Sequence, residues 1–295
     1  MTAPEWIAVD WGTSHVRVWA MNGATVLARR DSDQGMGRLH ASEFEAALLS
    51  LLGDWLDTAP APLPVVICGM AGARQGWHEA PYIPVPCEVP VHGVAVPTKD
   101  ARLNVRILPG LSQAKPADVM RGEETQIGGF LASHADFDGV LCLPGTHTKW
   151  AHISAREVVS FRTFMTGEMF ALLSQQSVLR FSTADGWNEA AFLDGVADGM
   201  GRPAGFAAEL FSLRARDLLE DPPKGHARAR LSGLLIGLEL AGSRPYWLGQ
   251  DVVVLSDDSL GQAYVAALDA QGAVVRSAAT EGVTLAGLVT AFKAG

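Results

Sequence analysis

The sequence predicts an α/β fold in two lobes, residues 1–134 and 135–295, and three observations carry that expectation. Short β-type runs alternate with longer runs of helical period along the whole chain. A strand, a glycine-threonine turn and a second strand occur twice, at Gly12-Thr13 and again at Gly145-Thr146, as an internal duplication would place them. Of the 295 residues, 48% are hydrophobic and only 19% charged, so the chain can bury a substantial core and is not disordered.

Taken in order, Trp6–Asp10, Val16–Ala20 and Ala24–Ala28 are apolar runs separated by tight turns and predict a three-strand meander. Ser42 with Glu45 has capping-box spacing ahead of Phe44, Ala47, Leu48, Leu51, Leu52 and Trp55, which recur at helical period. Pro60, Pro62 and Pro64 end that helix, and Val65–Cys68 reads as a buried strand entering the glycine-rich loop 69–77. Residues 80–105 are proline-rich and irregular, 105–108 is a strand, and 117–134 is expected to be a helix starting near Asp118. The second half opens with strands at 139–143 and 149–153. Helices are expected near 167–179, 187–199, 204–220, 228–241, 258–270 and 282–293, with strands at 251–255 and 273–276. Met165 and Met169, at helical spacing with Leu172 and Leu173, read as core residues.

Composition removes several functions. With 23 Lys+Arg against 32 Asp+Glu, the net charge of −9 and the lack of a basic cluster oppose nucleic-acid binding. Three cysteines without CxxC spacing suggest neither a disulfide framework nor a zinc site, and no HExxH pair occurs. No apolar run is long enough to span a bilayer, so a cytoplasmic protein without a membrane partner is expected. A homodimer is the default assembly.

The chemistry is written in the two turns. Asp10-Trp-Gly-Thr-Ser-His-Val-Arg17 sets an acid at a strand end, then glycine and two hydroxyl residues. Glycine lets backbone N–H groups approach a phosphate, hydroxyls donate hydrogen bonds, and a carboxylate can hold Mg²⁺ through water. The duplicate turn, Pro144-Gly-Thr-His-Thr-Lys149, offers the same donors plus a cation. Neither GxxxxGK[ST] nor GxGxxG is present, and the paired turns suggest a nucleotide cleft instead.

Asp10-Trp-Gly-Thr-Ser14 with Gly145-Thr-His-Thr-Lys149 resembles the two phosphate loops of the sugar kinase, heat-shock ATPase and actin superfamily. Within it, Val9–Trp19, Gly69–Trp77 with Pro81-Tyr-Ile-Pro84, Asp118–Gln126 and Phe164–Met169 resemble the 2-dehydro-3-deoxygalactonokinase family. The resemblance implies a two-lobed actin-like ATPase (ribonuclease H-like) fold with a nucleotide cleft between the lobes. It also implies transfer of the γ-phosphoryl group of ATP to the 6-hydroxyl of 2-dehydro-3-deoxy-D-galactonate, a small sugar acid. The implied ATP-binding residues are Asp10, Gly12, Thr13, Ser14, Arg17, Gly145, Thr146, His147, Thr148 and Lys149, with Ser256 near the adenosine and Asp10 as the Mg²⁺ ligand. Leu143 stands where many superfamily members have a second acid, so Mg²⁺ must lean on Asp10 and water.

Phosphoryl transfer also needs a carboxylate to orient or deprotonate the attacking hydroxyl, and Asp118, Glu123 and Glu124 are the candidates. Asp118 and Arg121, three apart on the expected helix, would face each other. A sugar acid brings its own carboxylate, for which Arg74 offers a two-pronged donor. Gln75, Trp77, Arg121, Thr166 and Glu168 complete the expected substrate site. For the adenosine, Val252–Tyr264 has the strand-then-helix form, while Ser232–Gly237 reads as a close-packed helix. Competing readings are a phosphohydrolase of the polyphosphate or pppGpp kind, suggested by Gly122-Glu-Glu124, and a non-enzymatic actin-like or sugar-sensing protein.

Overall fold

The computed structural model describes residues 3–59, 62–220, 222–256 and 258–295; Pro60, expected to help end the first helix, lies outside them. The chain opens with β1 (Trp6–Trp11), β2 (Val16–Asn22) and β3 (Thr25–Ser32), the expected meander. Next come α1 (Phe44–Leu52), α2 (Trp55–Thr58) and β4 (Leu63–Gly69), followed by the short strands β5 (Tyr82–Pro84), β6 (Cys87–Glu88) and β7 (Val94–Val96). The first half ends with β8 (Leu103–Ile107), β9 (Gly110–Ala114), β10 (Ala117–Met120) and α3 (Glu123–Ser133).

The pattern then restarts with β11 (Gly139–Leu143), β12 (Thr148–Ser154) and β13 (Glu157–Phe164). Helices α4 (Thr166–Gln175), α5 (Glu189–Gly201), α6 (Phe206–Leu219), α7 (His226–Gly242) and α8 (Arg244–Trp247) follow. The chain closes with β14 (Asp251–Leu255), α9 (Ser259–Asp269), β15 (Val274–Ala278) and α10 (Thr280–Ala294).

The duplication seen in the sequence is a duplication of topology. One sheet runs β3-β2-β1-β4-β8-β7, and the other contains the series β13-β12-β11-β14-β15. In each, the strand before the glycine-threonine turn pairs antiparallel with the strand after it and parallel with a strand from farther along the chain. The strands of these parallel pairs are largely apolar, as strands covered on both faces must be: β11 is buried at every position, and β4 and β14 at all but one.

Two compact units result. The first contains Met1–Phe137, Ser154–Ser160 and Thr280–Gly295; the second contains Asp138–Ile153 and Phe161–Ala279. The assignment of all of 135–295 to one lobe therefore needs correcting, because α10 packs into the first unit. Gly287 is pressed on Thr125 of α3, where an added Cβ would stand 2.0 Å from the Thr125 carbonyl oxygen, and Phe292 stacks on Trp6 at 4.3 Å. Leu288 and Ala291 are buried with Trp6, Ala8, Trp19 and Met21 on one side of the first sheet. The opposite core is built from Ile7, Val9, Trp11, Phe44 and Leu48.

Three local expectations differ. Residues 110–120 form the hairpin β9-β10, so Asp118 lies on a strand and shares no helix with Arg121. Glu45 caps no helix; its carboxylate accepts the Lys99 and Asp100 N–H groups, each at 2.7 Å, from a loop far along the chain. Met165 is 52% exposed because it precedes the first turn of α4, whereas Met169 packs with Leu173 against the α7 cluster.

Candidate functional site

In the first unit the Gly12–His15 turn is closed by the Gly12 N–H donating to the His15 carbonyl at 2.8 Å, which turns Thr13 and Ser14 outward, both exposed. The turn is held from behind by 35–37: Met36 N–H donates to Gly12 O at 3.0 Å and Gly37 N–H to Thr13 O at 2.9 Å. An added Cβ on Gly35 would stand 2.3 Å from the Ser14 carbonyl carbon, so only glycine permits this approach. That support went unread in the sequence, although Gly35-Met-Gly37 is a visible glycine pair.

Asp10, at the end of β1, pairs with Arg17 across the hairpin and receives the Cys68 thiol at 3.8 Å. Against it lies Gly69, whose φ of +89° turns the chain away from β4. An added Cβ there would be 2.5 Å from Trp11 O and 3.5 Å from Asp10 Oδ1. Gly122, with φ of +106°, sits on the other side, where an added Cβ would be 3.2 Å from Gly69 Cα. Thus the acid of the first turn, the glycine-rich loop and the start of α3 meet at one point within the first unit.

The three carboxylates differ in environment. Glu123 is half-buried and accepts the Arg121 N–H at 3.1 Å. Glu124 is fully buried and accepts the Gly122 N–H at 2.7 Å; burial pushes its carboxyl up to about 8, with the neighbouring Glu123 charge adding to the rise. Asp118 sits half-buried on β10.

Of the expected sugar-acid residues, Arg74 and Gln75 are exposed, and the Arg74 side chain, 81% accessible, reaches Glu79 at 3.4 Å. Trp77 packs edge-on to Trp11, within the hydrophobic core. Arg121 is buried: its guanidinium lies 4.2 Å over the Tyr82 ring and Nη2 donates to Ala80 O at 2.7 Å. Its Nη1 is buried without an acceptor among the described residues. Such a donor costs free energy unless something accepts from it.

The second unit repeats the plan. Glu168 N–H, at the start of α4, donates to Thr146 O at 2.9 Å, and an added Cβ on Gly167 would stand 2.3 Å from Gly145 O. His147 Nε2 and Glu168 Oε2 are 2.6 Å apart, so two residues expected in different subsites are partners. Lys149 is buried with Nζ donating to His147 O at 3.0 Å. The Thr148 and Thr166 hydroxyls, expected to meet ligands, turn inward: Thr148 bonds Tyr264 at 2.8 Å, and Thr166 donates to Glu239. Glu239 was missed; its only sign in the sequence is one acid inside the apolar run Leu231–Leu240.

Beside Gly145 and Thr146 opens a cavity of about 860 Å³, walled by α4, α7 and α9 and by Trp187. Helix α7 serves two purposes. Ser232, Leu235 and Ile236 line the cavity, while Gly233 and Gly237 face α5, where added Cβ atoms would stand 2.0 and 2.3 Å from the Phe192 and Val196 carbonyl oxygens. Ser256 does not line it; its hydroxyl donates to Asp258 at 2.7 Å, and Asp258 caps α9 by accepting the Gly261 N–H.

Asp10 suits Mg²⁺ on the chemistry of its donors. Mg²⁺ keeps several waters and takes one or two protein carboxylates plus phosphate oxygens, and Asp10 supplies one carboxylate beside outward-facing hydroxyls.

Two sheets of this repeated topology, each carrying a glycine-threonine turn, define an actin-like ATPase fold of the sugar-kinase class. The model of the 2-keto-3-deoxy-galactonokinase family matches residues 10–291, and the chain belongs to that family. It is 41% identical over 99% of its length, and 98% of the relative's, to "Probable 2-dehydro-3-deoxygalactonokinase DgoK1" of Rhizobium meliloti. It is 36% identical over its full length, and 97% of the relative's, to the 2-dehydro-3-deoxygalactonokinase of Escherichia coli. A crystal structure assigned to the same kinase from Sinorhizobium meliloti superposes with a TM-score of 0.89 at 42% identity, covering 98% of this chain and 96% of that one. The fold alone is shared, at a TM-score of 0.54 and 11% identity over 98% of this chain and 94% of that one, with the activator of 2-hydroxyisocaproyl-CoA dehydratase from Clostridium difficile. The protein is therefore a kinase, which removes the hydrolase and non-enzymatic readings.

Proposed function

We propose that this kinase transfers the γ-phosphoryl group of ATP to the 6-hydroxyl of 2-dehydro-3-deoxy-D-galactonate, in cytoplasmic galactonate catabolism. Family membership supports the substrate. The observation that carries the chemistry is the meeting of Asp10, Gly69 and Gly122, which brings a phosphate-loop acid beside the start of α3 and its Glu123.

In this reading the cavity of the second unit takes the adenosine, and the Gly145, Thr146 and His147 turn holds phosphate oxygens through backbone N–H groups. Lys149 acts on the turn by fixing the His147 carbonyl. In the first unit Gly12, Thr13 and Ser14 offer donors of the same kind, and Arg17 holds the Asp10 carboxylate in place. Asp10 would hold Mg²⁺ through water, and the ion would neutralise charge building on the phosphate oxygens.

Glu123 is the base that takes the proton of the 6-hydroxyl. Glu124 suits that task less: it is fully buried and keeps its own proton to about pH 8. Arg121 is the better anchor for the sugar carboxylate, because its desolvated Nη1 lacks an acceptor and would gain one once ligand binding uncovers it, whereas Arg74 is in water and engaged with Glu79. Gln75 and Glu168 remain candidates for sugar hydroxyls.

The test is ADP release measured across a panel of 2-dehydro-3-deoxy aldonates. Turnover with the galactonate derivative is expected, and activity on none of them would remove this reading. Sedimentation of the same sample would check the expected homodimer.

A further inference from the structure

Beneath the second phosphate turn, three side chains from three elements converge on a carboxylate to which the proposed chemistry gives no task. Glu239 of α7 is 2% exposed. Its Oε1 accepts the Trp150 indole N–H at 2.7 Å; its Oε2 accepts the Tyr264 hydroxyl at 2.8 Å and the Thr166 hydroxyl as well. Since the one Tyr264 proton goes to Glu239, the Thr148 hydroxyl, 2.8 Å from the Tyr264 oxygen, must donate to it. A directed chain of hydrogen bonds thus runs from Thr148 through Tyr264 to Glu239, joined there by Thr166 and Trp150.

Each donor stands at a place that matters for a nucleotide. Thr148 closes the Gly145-Thr-His147 turn, and Thr166 opens the helix whose Glu168 N–H and Gly167 hold Thr146 and Gly145 from behind. Tyr264 and Thr166 also line the cavity, and the helix bearing Glu239 supplies its Ser232, Leu235 and Ile236 wall. A buried carboxylate is costly unless its oxygens are fully hydrogen-bonded, and here the acceptor unites the turn with both helical walls.

We propose that Glu239 is a positioning residue for ATP: as common acceptor for Tyr264, Thr166 and Trp150, it fixes the phosphate turn relative to the walls of the adenosine cavity. The proposal rests on the nucleotide reading of that cavity. Because both carboxylate oxygens face donors, the NH2 group of a glutamine must displace either the Trp150 bond or the two bonds at Oε2, and a proton on the carboxyl likewise meets donors in place of an acceptor. Burial raises this carboxyl to about 7, against the pull of its three donors. The titratable groups facing it are Tyr264 and Cys142, both pushed up by burial and so neutral. Nucleotide binding accordingly weakens as pH falls through about 7.

Calorimetric titration of ADP into the full chain between about pH 6 and 8 tests this. For the wild type, Kd should rise as pH falls. Glu239→Gln should bind about tenfold more weakly, the size of one hydrogen bond to a charged acceptor, with a shallower pH dependence than the wild type, leaving only the slope that the ADP phosphate itself contributes. In turnover its KM for ATP should rise while KM for the sugar acid and kcat at saturating ATP stay close to wild type. Should Glu239→Gln not fold, Tyr264→Phe, which removes one donor only, should show the same split to a smaller degree. A folded Glu239→Gln with wild-type Kd and pH profile, or an equal loss in kcat and both KM values, would overturn the proposal. Ser232→Trp, which fills the cavity, separates the two ideas. ADP binding indifferent to it removes the nucleotide reading and this proposal together; binding blocked by it yet indifferent to Glu239→Gln removes the positioning role alone.

Discussion

Asp10 and Glu124 both lie by the Gly69 turn, and their surroundings suit them to opposite tasks. Asp10 pairs with Arg17 and, in the proposed reading, would hold the Mg²⁺ of the nucleotide. Asp10→Asn should keep the fold and lower kcat by on the order of 10²-fold or more; wild-type turnover at saturating Mg²⁺ would rule the role out. Glu124 keeps its proton to about 8 in the folded chain against an ordinary 4.5 when unfolded, so between those values the folded state binds more protons. Stability therefore falls as pH rises through that interval, and Glu239, raised to about 7, adds to the same slope. Calorimetric melting should show Tm declining from about pH 5 to 8, with Glu124→Gln removing part of the decline; an unaltered slope in the variant would mean that Glu124 is not the group responsible. The two arginines can be separated by kinetics. Arg121→Lys should raise KM for the sugar acid about tenfold with KM for ATP unchanged, because lysine lacks the planar fork, while Arg74→Lys should do little.

At the level of elements, the glycines divide by purpose. Gly233 and Gly237 let α7 touch the backbone of α5, so Gly233→Ala should cost about 1–3 kcal/mol in denaturant unfolding by overpacking. Gly145 has open space where a Cβ would go, so nothing in the fold requires it. Gly145→Ala should leave the unfolding midpoint unchanged yet raise KM for ATP; a loss of stability would assign it to the fold instead. Both glycine-threonine turns and nearly every long helix were legible in the sequence, since period and turn chemistry are local signals. The β9-β10 hairpin was not: Ala117, Asp118 and Met120 suit a helix, and pairing with Leu111–Ala114 overrides them. The site was legible as a set of segments but not in its roles. Thr148 and Thr166 have the right hydroxyls, but their direction is set by Glu239 and Tyr264, 73 and 116 residues away from their respective partners.

Across the whole molecule, the last helix decides what counts as a domain. Its Gly287 and Phe292 complete the packing of α3 and of β1, and α3 begins with Glu123 and Glu124. Removing residues 280–295 should therefore loosen the first unit far from the cut. Hydrogen exchange should lose protection in β1 and α3 while β11 and β14 keep theirs; uniform loss would show that the units do not unfold separately.

That return of the C-terminus also reverses the usual order of birth. Domains generally fold as they leave the ribosome, the N-terminal one first. Here every residue of the second unit has been synthesised by Ala279, whereas the first still waits for Thr280–Gly295. The half made first is the half finished last, so the Trp6 face of β1 stays uncovered until α10 has been made.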